Sequence, residues 1–158
     1  MFSKTRVSLI FALYLAVLST SGCASISQTV TQLISDPVQT NVLSGREGEN
    51  GPVLVVKIDD TRNARPQVGL EFADVVYIEQ VEGGLTRLAA VFSSNIPSKI
   101  GPVRSARISD IDLLAQYGRV AFAYSGAQHK LLPVIAAANL SDVGAMKRGP
   151  TYYETDPT

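Results

Sequence analysis

The 158 residues are 46% hydrophobic and 18% charged, a balance that suits one globular domain with a real core rather than a disordered chain. Fourteen basic residues match 14 acidic ones, so there is no broad basic field of the kind that holds nucleic acid. A single Cys and a single His exclude an internal disulfide and a His-rich metal site, leave carboxylates as the only candidate cation ligands, and go with no expected cofactor.

Lys4 and Arg6 precede an uncharged run over residues 7–18, and small residues then lead to Gly22-Cys23. That is the layout of a secretory signal peptide over residues 1–22. The apolar run falls short of the roughly 20 residues a membrane span needs. Thr20-Ser21-Gly22-Cys23 resembles a bacterial lipobox, in which the Cys thiol takes a diacylglycerol and becomes the first mature residue. An uncleaved amphiphilic anchor, or an ordinary signal peptide with Cys23 as an incidental thiol, is the alternative. Each buried acyl methylene contributes about 0.8 kcal/mol, so an acylated, palmitate-type Cys23 would hold the protein to the membrane on its extracytoplasmic face. Removal of Lys4 and Arg6 leaves 12 basic against 14 acidic residues.

Residues 23–52 are rich in Ser, Thr, Gln, Asn and Gly, and residues 45–51 carry no apolar side chain. They read as a flexible tether, holding the folded part on the order of 30 Å from the bilayer. Residues 53–158 read as the folded domain. Residues 53–58 are a branched apolar run broken only by Lys57, which predicts a strand buried on both faces. Asp59 and Asp60 end it.

Residues 74–81 and 85–93 predict two more strands around Gly83-Gly84, a pair suited to the positive φ values of a two-residue type I′ hairpin. That loop sets Glu82 opposite Leu85 and Gln80 opposite Arg87, with Glu79 among Val75, Tyr77 and Val81. A carboxylate there needs a partner, and a slip of one residue would exchange the faces.

Pro102 argues against a central strand over residues 100–103, so residues 101–104 read as an edge or loop segment. Ser109 with Asp112 predicts a capped helix ending at Gly118. Residues 119–124 predict a strand, and Ser125 predicts the cap of a helical stretch to Leu140 that Pro133 interrupts or kinks. The fold class is therefore α/β: a mixed sheet containing a β-hairpin, with helices packed on it. The last residues complete no element, which is expected of a domain incomplete at its C-terminus.

From residue 53 to about 153 the chain resembles the YerB-type lipoproteins, a bacterial family of uncharacterised function. The match rests on Ile58-Asp59-Asp60, Asn63-Ala64-Arg65-Pro66-Gln67, Ala73-Asp74-Val75-Val76-Tyr77, Val81-Glu82-Gly83-Gly84-Leu85-Thr86-Arg87 and Lys99-Ile100-Gly101-Pro102-Val103-Arg104-Ser105-Ala106-Arg107. The resemblance implies a lipid-anchored, extracytoplasmic protein that continues into further sequence. The family often has a His and consecutive glycines where this chain has Ala123-Tyr124-Ser125-Gly126, and it offers no catalytic residues to carry over.

Arg65, Arg87, Arg104 and Arg107, with Glu82 and Asp59, form the candidate ligand-binding set. Guanidinium groups suit bidentate grip on carboxylate or phosphate, which points to an anionic cell-wall polymer or an envelope protein as partner. The same arginines can instead pair with Asp59, Asp60, Glu79, Glu82 and Asp110 in an internal network. A third reading makes Asp59, Asp60 or Glu82 the acid and base of an envelope hydrolase, although strand-end carboxylates more often cap loops.

Overall fold

A computed structural model describes residues 38–149 and 153–154. The chain divides into two units, Met1–Val38 and Gln39–Thr158. The expected signal peptide, Cys23 and the first part of the tether lie outside the described residues.

Five strands, β1 (Leu54–Asp59), β2 (Val75–Gln80), β3 (Thr86–Phe92), β4 (Val120–Ala123) and β5 (Leu140–Asp142), form one sheet in the order β2-β3-β1-β4-β5. The hairpin strands β2 and β3 are antiparallel, β3 is antiparallel to β1, and β1, β4 and β5 run parallel. The fold is α/β, as expected. β1 lies in the middle because Val55, Val56 and Ile58 find apolar partners on both faces. Val55, Ala89, Val91, Val120 and Phe122 meet Leu114 of helix α1 (Ser109–Ala115), Ile135 of helix α2 (Leu132–Ala137) and the neighbouring Leu131. On the opposite face Val56, Ile58, Leu88, Ala90 and Phe92 are covered by Ala73 and by loop residues such as Ile100 and Val103. A short helix α3 (Ala145–Arg148) follows β5.

Several expectations change. The hairpin loop holds three residues, Glu82–Gly84, closed by the Val81 N–H on the Leu85 carbonyl at 2.8 Å. Gly83 and Gly84 do take positive φ (73° and 72°), but the extra residue moves the register by one: Glu79 faces Arg87 and Gln80 faces Thr86. Arg87 therefore shares a face with Tyr77 and Glu79, beneath the helices, because opposed residues in an antiparallel ladder project to the same side.

Ser125 does not cap a helix. Its N–H donates to the Arg104 carbonyl (3.0 Å), and a 3₁₀ turn, His129–Leu131, leads into α2. Pro133 sits in the first turn of α2, where the missing N–H has no intrahelical role, so no kink results. The apolar stretch then ends in β5, a strand of three residues and too short for its periodicity to register. Ser109 does start α1, but its hydroxyl donates to Glu79 at 2.7 Å in place of capping.

The segment around Pro102 is wedged between two strands. Pairing of β1 with β4 stops at Val56↔Ala123, and beyond it the Pro102 carbonyl accepts from Asp59 N–H, Arg104 N–H donates to the Lys57 carbonyl, and Ala106 N–H donates to that of Gly126. A proline fits because only its carbonyl is used. This wedge delivers Arg104 and Arg107 to the same end of the sheet as Arg87.

The end of the expected tether is folded. Asn41 is fully buried; its Oδ1 accepts the N–H groups of Leu43 and Ser44, and its Nδ2 donates to the Glu49 carbonyl and to Ser93 Oγ. One amide thus orders the Val42–Ser44 turn in a stretch that composition alone marks as linker. Asn41→Ala is expected to lower stability by about 1–3 kcal/mol, the cost of orphaning those groups. Urea unfolding reads this directly, and an unchanged midpoint would mean that the segment is a tether after all.

Candidate functional site

Lys57 lies in the middle of β1 with a fully buried side chain. Strand alternation turns it toward the helix face, where a lone ammonium would be very costly. Two carboxylates meet it. Asp110 Oδ1, from the first turn of α1, lies 2.6 Å from Lys57 Nζ, and Glu79 Oε1, from β2, is bonded to the same nitrogen. Ser109 Oγ donates to the second Glu79 oxygen at 2.7 Å, and Arg107 N–H donates to the second Asp110 oxygen at 2.6 Å. Burial pushes the Asp110 carboxyl up to about 6, against the pull of Lys57. Burial acts the same way on Glu79, but the Lys57 and Ser109 hydrogen bonds outweigh it and hold that carboxyl below its ordinary value.

The sequence pattern shows that Glu79 needs a partner and offers only arginines for it, whereas the structure supplies Lys57. Lys57 entered only as a break in an apolar run. A lone lysine inside a run destined for a central strand was the available signal, since such a residue must be met by acids brought from elsewhere in the fold.

Toward the hairpin tip the arginines gather. Arg104 Nε lies 2.9 Å from Asp59 Oδ2. Arg107 Nε donates to Glu82 Oε2 (2.8 Å), Nη2 lies 2.7 Å from the same oxygen, and Nη1 donates to the Ala106 carbonyl. Arg87 Nη1 donates to the Ser105 carbonyl at 2.8 Å, and among the described residues no carboxylate lies within 4.0 Å of Arg87. Burial, and then repulsion from Arg107 and Arg104, moves the Arg87 guanidinium down from its ordinary value. Three guanidinium groups therefore face two carboxylates, Asp59 and Glu82. A groove of about 370 Å³ opens beside the Arg107–Glu82 pair, lined also by Ala106, Ile108, Gln128, Lys130 and Leu131.

Arg65 is not part of this group. It pairs with Asp60 at 2.7 Å, and Asp60 also accepts from Thr86 Oγ1. Thr86 precedes Arg87 in β3, so its side chain leaves the opposite face of the sheet. Of the expected ligand-binding residues, the structure brings together Arg87, Arg104, Arg107, Glu82 and Asp59.

The family model for the N-terminal domain of a protein of unknown function, DUF3048, matches residues 39–158. The chain belongs to this family. The match begins at the folded turn around Asn41, before the boundary expected at residue 53. A relative from Bacillus subtilis (strain 168), described as "Putative lipoprotein YerB", is 49% identical over 59 residues, covering 37% of this chain and 18% of that protein. The crystal structure of the Bacillus subtilis YerB protein superposes with a TM-score of 0.62 at 29% identity, covering 71% of this chain and 40% of that one. This chain thus spans less than half the length of the relatives it matches. The resemblance expected from the segments at Asp59, Glu82 and Arg104 is borne out.

For this DUF3048 domain, Lys57→Met is expected to cost about 3–5 kcal/mol, because it strands two carboxylates in a desolvated site. The triple variant Lys57→Met, Glu79→Gln, Asp110→Asn is expected to regain most of that loss. Chemical denaturation of both variants is the check, and a harmless Lys57→Met would show that the three charges are not mutually dependent.

Proposed function

We propose that this chain is a lipid-anchored module of the cell envelope, tied to the extracytoplasmic membrane face through an acylated Cys23. Its Arg87, Arg104 and Arg107 end then recognises an anionic wall polymer or an acidic partner protein. The address is supported by the charged and apolar layout of residues 1–22, by Cys23 as the single cysteine, and by the printed name of the Bacillus subtilis relative. Among the described residues no helix is long and apolar enough to cross a membrane.

The recognition reading is carried by one observation, the unmatched charge of Arg87 between two paired arginines. Partial burial there weakens water's screening, so an arriving phosphate or carboxylate gains more than at an open surface. Long-range attraction of this kind fades with added salt.

The alternative, an envelope hydrolase built on Asp59, Asp60 or Glu82, draws less support. A general acid working near neutrality needs a raised pKa. The Thr86 hydroxyl, and then Arg65, hold Asp60 below its ordinary value against the opposing effect of burial. The Glu82 carboxyl sits low because its own backbone N–H and then Arg107 donate to it. Asp59 accepts from Thr61 N–H and is ion-paired with Arg104, a loop-capping arrangement.

Two measurements test the proposal. Cys23→Ser is expected to abolish incorporation of labelled palmitate and to move the protein from the membrane to the soluble fraction; persistence of both label and membrane association would refute the anchor. Full-length protein is expected to bind cell-wall fractions at low salt, to release as salt rises, and to bind several-fold more weakly as Arg87→Gln. Salt-independent binding, or an Arg87→Gln variant equal to the parent, would remove the recognition site.

A further inference from the structure

The Arg107–Glu82 pair is lopsided. Arg107 is held: its side chain is 19% exposed, its Nη1 is bonded to the Ala106 carbonyl, and its backbone N–H is bonded to Asp110 in the buried charge cluster. Glu82 is loose by comparison, 61% exposed at the loop tip beside Gly83 and Gly84, around whose Cβ positions no heavy atom comes within 4 Å. The bonding is also incomplete. Both Arg107 donors converge on the single oxygen Oε2, whereas a guanidinium fork is best matched by two carboxylate oxygens in parallel. Glu82 fills the seat without using it fully.

The groove beside that seat is mixed in character. Ile108 and Leu131 supply apolar wall, while Gln128 and Lys130 supply an amide and a second cation. A seat for a planar anion that adjoins apolar and amide-bearing wall suits a carboxylate with a small apolar substituent and a neighbouring peptide group. A peptide C-terminus has that chemistry.

We propose that Glu82 is a built-in placeholder for the ligand, and that a terminal carboxylate displaces it from Arg107 while its apolar substituent packs against Ile108 and Leu131. The proposal rests on the anion-recognition reading above and narrows it from any anion to this class. Displacement leaves Glu82 solvated, which a loop tip with 61% side-chain exposure permits at small cost.

N-acetylalanine is a suitable probe, with N-acetylalaninamide as its neutral counterpart and inorganic phosphate as a second anion. Titrated into the full chain in detergent, N-acetylalanine is expected to move the methyl resonances of Ile108 and Leu131, while the amide leaves them in place. Glu82→Gln keeps the size of the side chain and removes the competitor, so it is expected to bind about two- to fivefold tighter, the equilibrium worth of an exposed ion pair. Arg107→Lys keeps charge and loses the fork, and is expected to bind weakly or not at all. Unchanged or weaker binding by Glu82→Gln overturns the placeholder, and phosphate binding as tightly as N-acetylalanine overturns the ligand class. Silence of Ile108 and Leu131 in both parent and Glu82→Gln, with wall fractions still bound, overturns this inference and leaves the broader reading standing. A titrating groove with no wall binding keeps the carboxylate seat and overturns the wall polymer as its ligand.

Discussion

A lysine ammonium sealed inside the sheet is the constraint on which the rest of the molecule turns. Lys57 cannot stay charged there without its acids, and those acids come from β2 and α1, elements far from β1 in sequence. Buried ion groups of this sort add little net stability compared with apolar packing, yet they penalise wrong arrangements heavily. Sliding the hairpin by one residue would carry Glu79 to the other face and leave the ammonium with a single partner. Displacing the first turn of α1 would remove Asp110. The charge cluster thereby favours one hairpin register and one seat for α1.

That selection reaches the rim of the molecule. With Glu79 opposite Arg87, Arg87 lies under the same layer as the buried cluster. The wedge between β1 and β4 runs directly into α1, so the backbone that carries Arg104 and Arg107 is held at Lys57 and Gly126 and again at Asp110. Positioning of this kind is what a binding surface needs, since side chains already held in place lose less freedom when a ligand arrives. The loop tip with Glu82 is the contrasting part, exposed and glycine-flanked.

Much of the framework was legible in advance. Continuous branched residues marked β1, alternation marked β2 and β3, and Gly118 marked the stop after α1. The failures share a cause. Gly83-Gly84 permits both a two-residue and a three-residue loop, and nothing local chooses between them. Ser125 and Ser109 both have capping chemistry, but one serves with its backbone in the wedge and the other spends its hydroxyl on Glu79. Asn41 sits in a stretch that composition marks as linker, and its burial depends on Ser93, a residue at the far end of β3. At the candidate site, the gathering of Arg87, Arg104 and Arg107 with Glu82 and Asp59 was read from the sequence, whereas the separation of Arg65 and the part played by Lys57 were not.

Properties set by neighbours along the chain were therefore legible in advance: the apolar run ahead of the single Cys23, the strand periodicities, the turn glycines and the α/β class. Which of Arg87, Arg104 and Arg107 lacks an ion pair among the described residues, which acids neutralise Lys57 and which face Arg87 occupies were decided only in three dimensions. Each of those outcomes depends on a register or a crossing between distant segments, and electrostatic pairing is blind to sequence separation. A charge is matched by whatever the folded backbone brings within a few ångströms of it.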